Sequence, residues 1–194
     1  WTQKNGQYSE GDPELHDYVG TLFYEEKNYS LAEEHLLVGT DHSAELLGRL
    51  SYEWAEHDTN NGKGLYVARV VLQYLAMKGI HHATLAFNSF LKVAANNAPV
   101  TGQVDFRYSP AGDITKVPTY EDSWLNFIQL VLLTVQRDAS NMFVQLKSTY
   151  GSLYQSQKGF DDLIDDIGAA FFNIQKPRKQ GNIMQDLMNS LFAG

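Results

Sequence analysis

The residues of this sequence that could carry chemistry are few, and their spacing argues against most reactions. His81 and His82 come closest to a metal site, but neighbouring helical positions point about 100° apart and cannot easily bring two imidazoles to one ion. Residues 62–64 read GKG and lack the upstream glycine and the Ser or Thr of a phosphate-binding loop. The G-x-S-x-G and H-E-x-x-H motifs do not occur. We therefore predict no catalytic residue, no metal ligand and no cofactor, with a metal hydrolase built from scattered histidines and carboxylates as the enzymatic alternative.

A cluster of aspartates invites a second chemical interpretation. Asp161, Asp162, Asp165 and Asp166 place carboxylates side by side at i,i+4 spacing on one predicted helix. Such a group could hold calcium or face a basic partner. Acidic residues in a first helical turn also complement the helix macrodipole and solvate an outer face. We favour this second explanation.

Composition limits the classes of protein that remain. The chain has 194 residues, 43% of them hydrophobic, which is enough for one sizeable core and a single domain over 1–194. A net charge of −8 argues against binding to nucleic acid backbones. The absence of cysteine excludes disulfides and thiolate sites and is compatible with a cytoplasmic location. The most apolar run, 124–135, is too short to span a bilayer, so no membrane insertion is expected.

The two ends of the chain differ from its middle. Residues 1–13 are polar, lack the order of a signal peptide and contain no initiator methionine, so we expect a fragment or a processed chain. At the other end, Lys176 to Gly181 resembles a linker, because Pro177 ends the preceding helix. We predict a linker and a short C-terminal helix over 176–194, with a narrow stripe of Met, Leu, Ile and Phe.

Apolar residues at helical spacing organise most of the remaining chain. They predict helices over about 13–27, 30–39, 43–57, 65–78, 81–96, 119–137, 139–150 and 160–174. Two helix starts carry capping signals: Asp12 followed by proline, and Ser30 with Glu33 as a capping box. Gly20 and Gly168 are expected where neighbouring helices approach closely. Helix pairs joined by short turns predict an all-α fold, an irregular α-solenoid resembling tetratricopeptide units.

One segment breaks the helical pattern and predicts a β-hairpin near residues 103–117. Val104, Phe106 and Tyr108 share one face of a first strand, Ser109 to Gly112 provides turn chemistry, and the second strand is irregular. An isolated two-stranded hairpin is marginal in water, so this one must rest on helices or be held by another chain. We expect the first strand to do most of the holding. The candidate partner-binding residues are Val104, Phe106, Tyr108, Ile114, Val117, Trp124 and Phe127, of which the last two could be core instead.

Three stretches of the sequence are similar to a known family. They are GDPELHDYVGTLFYEEKNYSLAEEHLLVGT, LLTVQRDASNMFVQLKSTY and a tail containing Pro177, Gly181, Met184, Asp186, Leu187, Ser190, Leu191 and Phe192. These residues resemble the fungal form of the scaffold called Golgi to ER traffic protein four, over nearly all of the chain. The resemblance places the chain in the C-terminal part of an α-solenoid.

The resemblance implies a non-enzymatic adaptor in the targeting of tail-anchored membrane proteins to the ER. In the family, N-terminal helices engage the targeting ATPase, and the C-terminal half holds the N-terminal segment of a ubiquitin-like partner that recruits a co-chaperone. The hairpin from Val104 to Val117 and its flanking helices are then expected to be the docking place for that segment. The alternative is a tetratricopeptide-like peptide receptor of another pathway, which would need a concave groove lined with Lys and Arg.

Overall fold

The computed structural model describes residues 10–58, 62–95, 98–107 and 114–176. These residues form nine helices and one two-stranded sheet, which confirms the predicted helical solenoid with one hairpin. The elements in chain order are α1 (Pro13–Glu25), α2 (Tyr29–Leu36), α3 (Asp41–Glu56), α4 (Gly64–Ala76), α5 (Ile80–Ala94), β1 (Val100–Arg107), β2 (Ile114–Tyr120), α6 (Ser123–Gln136), α7 (Ser140–Thr149), α8 (Gly151–Tyr154) and α9 (Phe160–Phe172). The helix and linker predicted over 176–194 lie outside the described residues, except for Lys176.

Helix starts follow local capping chemistry, with one correction. Asp12 caps α1 by accepting a hydrogen bond from the Glu14 N–H at 3.0 Å, as predicted. Helix α2 begins at Tyr29, because the Asn28 side chain is its N-cap and accepts from the Leu31 N–H. The capping box predicted from Ser30 is therefore wrong, and Glu33 points into the interior.

Three helix pairs close with the same turn, in which a residue other than glycine adopts left-handed backbone angles. Lys27 between α1 and α2, Lys78 between α4 and α5, and Asp138 between α6 and α7 have φ values of 60°, 64° and 51°. In each turn the next residue donates its N–H five residues back, as Asn28 does to the Phe23 carbonyl at 2.9 Å. This arrangement reverses the chain and satisfies the last helical carbonyls. The recurrence marks the helix pairs as repeating units.

The core is centred on α4, which packs against α3, α5, α6 and α9. Close approach between helices depends on glycine at two positions. A Cβ at Gly48 would lie 2.2 Å from the Ala86 carbonyl oxygen of α5, and one at Gly20 would lie 2.6 Å from Leu36 Cγ of α2. The prediction of close packing at Gly20 is confirmed.

The hairpin is longer than predicted and is fastened to α6. Strands β1 and β2 are antiparallel, with Val104 opposite Val117. The Gln129 side chain donates to the Pro118 carbonyl at 2.8 Å, and Asn126 bonds both the N–H and the carbonyl of Tyr120 at 2.8 and 2.7 Å. The predicted helix start at 119 is wrong, since 119 and 120 belong to β2 and Asp122 caps α6 instead.

Candidate functional site

The hairpin carries an apolar face of mixed exposure. Val104, Phe106 and Val117 lie on one side of the sheet and are 46%, 5% and 2% exposed. Ile114 pairs with Arg107, so it points to the opposite side, where it is 49% exposed. Phe106 and Val117 are buried, whereas Val104 and Ile114 are free to meet a partner. Tyr108 lies outside the described residues.

The second strand contributes more buried side chains than the first. Val117 and Tyr120 of β2 are buried, while Phe106 is the buried residue of β1 within its described length. Among the described residues, the contiguous core reaches the hairpin at Tyr120 and does not include Phe106 or Val117. For the attachment to the chain's own helices, the expectation that the first strand does most of the holding is therefore wrong, because the side chains of α6 bind β2. For a partner, it stays a prediction.

Trp124 and Phe127 belong to the interior, which was the alternative considered for them. Trp124 packs edge-on against Phe160 of α9, with ring centroids 5.4 Å apart. Phe127 stacks on Tyr154 of α8 at 5.8 Å. Both are buried, so they do not themselves present a surface to a partner.

A small cavity lies at the base of the hairpin. Its volume is about 220 Å³, and its apolar lining includes Phe90, Tyr120 and Leu125. One edge of it is the Asp122 carboxylate, which accepts from the Trp124 N–H and from the Gly64 N–H, both at 2.8 Å. One side chain thus joins the first turns of α4 and α6 to the end of β2.

A second, larger cavity lies between α2, α4 and α9, with a volume of about 430 Å³. Arg69 in its wall donates to Glu33 and stacks over Trp54, with Cζ 4.6 Å from the ring centroid. Gln73 binds the other oxygen of Glu33 at 2.9 Å. The charge of Arg69 is already matched by a buried carboxylate, and the wall also contains one acid, Glu34, and one base, Lys158. A wall with as many acidic as basic residues weighs against a peptide receptor that clamps carboxylates with basic residues.

The side chains of the two adjacent histidines meet one carboxylate from another helix. His81 Nε2 and His82 Nε2 each lie 3.1 Å from one oxygen of Asp41 on α3. The hydrogen bond from His81 is the main cause that lowers the pKa of the Asp41 carboxyl. Within the part of the chain that the structure describes, no three His, Cys, Asp or Glu side chains are arranged to hold a metal ion. His81 and His82 therefore contact the two oxygens of one exposed carboxylate on the surface.

The aspartate cluster on α9 is partly neutralised from within the molecule. Lys147 of α7 binds Asp165, and Lys176 binds Asp166.

In the segments that the structure describes, no helix is both long enough and apolar enough to cross a bilayer.

Comparison with known proteins agrees with this architecture. The family model described as Golgi to ER traffic protein 4 matches residues 1–192. The Golgi to ER traffic protein 4 of Aspergillus fumigatus is 34% identical, in an alignment that covers this whole chain and 55% of the relative. The protein of the same name from Schizosaccharomyces pombe is 26% identical, in an alignment that covers this whole chain and 61% of the relative. The crystal structure of C. therm. Get4 is 38% identical, with a TM-score of 0.78, over 100% of this chain and 60% of that one. The chain therefore spans little more than half the length of the curated relatives it matches, and it belongs to the Golgi to ER traffic protein 4 family.

Proposed function

We propose that this chain is the partner-holding part of a non-enzymatic cytoplasmic adaptor that serves the targeting of tail-anchored membrane proteins to the ER. Its hairpin binds the N-terminal segment of a ubiquitin-like protein, which links a co-chaperone to the targeting ATPase. The ATPase itself is contacted by segments of the family outside these 194 residues. Membership of a family named for traffic between Golgi and ER supports the pathway.

The observation that carries this proposal is the hairpin with one strand fastened and apolar side chains left exposed. Helix α6 binds the backbone of β2 at Pro118 and Tyr120. Strand β1 is held through its pairing with β2, so its outer edge and the side chain of Val104 are available for strand addition or hydrophobic docking. A sheet of two strands gains stability from any third element that covers it.

The test uses exposed positions, because substitution of the buried Phe106 would also disturb folding. We expect Val104→Asp to weaken binding of a peptide with the sequence of the partner's N-terminal segment by about tenfold or more, since burying an unpaired carboxylate is costly. Val144→Asp on α7 is the matched control, because Val144 is 55% exposed and lies on another element. Isothermal titration calorimetry measures the three affinities.

Equal affinities for the hairpin variant and the control would place the interface elsewhere. Unchanged helical circular dichroism shows that a loss of binding is not a loss of fold. If an acidic C-terminal peptide instead copurifies with the chain and binds in the 430 Å³ cavity, the peptide-receptor alternative is supported.

A further inference from the structure

Two histidines face each other across the first helix pair at hydrogen-bonding distance. His16 Nδ1 of α1 lies 3.0 Å from His35 Nδ1 of α2, and the two ring centroids are 5.0 Å apart. The other nitrogen of His16, Nε2, lies 3.0 Å from the Glu10 carbonyl oxygen and can only donate to it. In the neutral pair His16 Nδ1 is therefore the acceptor, and the His35 Nδ1–H is the donor.

This contact tolerates one extra proton and not two. When one ring becomes an imidazolium, its Nδ1–H can donate to the other ring, whose remaining hydrogen moves to Nε2. When both rings are protonated, two Nδ1–H groups and two positive charges meet at 3.0 Å and the hydrogen bond is lost.

Helix α1 buries little of its N-terminal half, so this contact matters for the position of that half. Gly20 is the buried residue of α1, where it lies against Leu36 of α2. Leu15, Tyr18 and Leu22 of α1 are exposed. Two further polar contacts join α1 to α3: the Tyr24 hydroxyl near the end of α1 donates to Glu53 at 2.5 Å, and Asp17 binds His42 and Ser43.

We propose that His16 and His35 form a pH-sensitive latch that holds the N-terminal half of α1 against α2 and is released when both rings carry a proton. Release would loosen that half of α1, while the bond from Tyr24 to Glu53 still holds its C-terminal end. The device is independent of the hairpin and of the proposed partner.

The charged groups around the latch determine where it titrates. Burial is the main cause that lowers the pKa of His35, the neighbouring His16 lowers it further, and Glu34 of α2 raises it in part. Phe23 of α1 stacks on the His35 ring at 5.6 Å and adds to its desolvation. Release of α1 is therefore expected below the ordinary histidine value of about 6.5.

The contacts from α1 to α3 are not weakened by mild acid. His42 Nδ1 lies 3.0 Å from Asp17 Oδ1, and Ser43 donates to the same oxygen. Burial opposes the ionisation of Asp17, but the bonds from Ser43 and His42 outweigh it and lower the pKa of Asp17. The pKa of Glu53, which accepts from Tyr24, is lowered in the same way. Loosening of α1 on acidification therefore does not come from these contacts.

Hydrogen exchange tests the latch with amides of α5 as the internal reference. After correction for intrinsic exchange, we expect the protection of α1 amides to fall at least tenfold more than that of α5 amides between pH 7.5 and pH 5. The double variant His16→Gln with His35→Gln cannot be protonated and should lose this response. His57→Gln, an exposed histidine outside the pair, should keep it.

Two results would overturn the proposal. One is an acid response of α1 that persists in the double variant. The other is an NMR titration in which the His16 and His35 rings of the unmodified chain each follow a single ordinary step. His42→Gln provides a further check, because removal of its contact with Asp17 should increase the acid response of α1.

Discussion

The carboxylate of Asp122 offers the sharpest test of how the hairpin is built into the solenoid. It accepts hydrogen bonds from the Trp124 N–H at the start of α6 and from the Gly64 N–H at the start of α4, which is 58 residues away in sequence. Asp122→Ala removes both bonds at once. We expect a destabilisation of about 2–4 kcal/mol, from an N-cap worth about 1 kcal/mol and a charged hydrogen bond worth about 1.5–3 kcal/mol.

Two variants separate the contributions. Asp122→Asn keeps an oxygen that can cap α6 at the Trp124 N–H, but its NH2 group cannot accept from the Gly64 N–H. We therefore expect it to lose only the bond to Gly64, at a cost of about 1.5–3 kcal/mol. Asp12→Ala is the matched control, since Asp12 caps α1 through one exposed bond to Glu14 and reaches no other helix. Its expected cost is about 0.5–1 kcal/mol.

Urea unfolding followed by circular dichroism measures all three, with an unchanged slope required for the comparison. If Asp122→Ala costs no more than Asp12→Ala, the bond to Gly64 contributes nothing. The reasoning that ties the hairpin base to α4 would then be refuted.

Two further predictions concern packing and ionisation. Gly48→Ala should destabilise the fold by more than about 2 kcal/mol, because its Cβ would meet a backbone oxygen of Ala86 at 2.2 Å. Gly151→Ala is the control, because a Cβ there would meet open space. In the same urea assay this control should be neutral or stabilising. Burial and a 2.5 Å hydrogen bond to Glu53 raise the pKa of Tyr24 to about 12. The unfolded chain loses this proton near pH 10, so the stability that Tyr24 contributes is present below pH 10 and is lost as the pH rises through about 12. In alkaline unfolding experiments, the Tyr24→Phe variant should not show this loss of stability between pH 10 and about pH 12.

The sequence predicts the helices well because apolar residues recur at helical spacing along each of them. It predicts their turns poorly. Lys27, Lys78 and Asp138 adopt the left-handed conformation that usually favours glycine, and their residue types do not predict it. Gly79 lies between α4 and α5, yet its φ is −86°, and the left-handed residue of the turn is the lysine before it.

The functional features cannot be predicted from the sequence for a different reason: they depend on contacts between residues that are far apart along the chain. The two adjacent histidines meet one carboxylate because Asp41 arrives from another helix, 40 residues away from His81. The pair of His16 and His35 likewise spans two helices. Alternation in the hairpin predicts which residues share a face, but only docking on α6 decides that Val117 is buried and that Val104 is left exposed.

The manner of attachment gives a physical reason for a hairpin in a helical array. A strand pair inserted between α5 and α6 as a free loop would hold a bound segment loosely, because two strands alone are barely stable. Here Asn126 and Gln129 bind β2, and Asp122 joins its end to α4 and α6. A partner that adds to β1 would therefore be held in a fixed orientation to the solenoid. An adaptor needs that property if it is to present one bound protein to another.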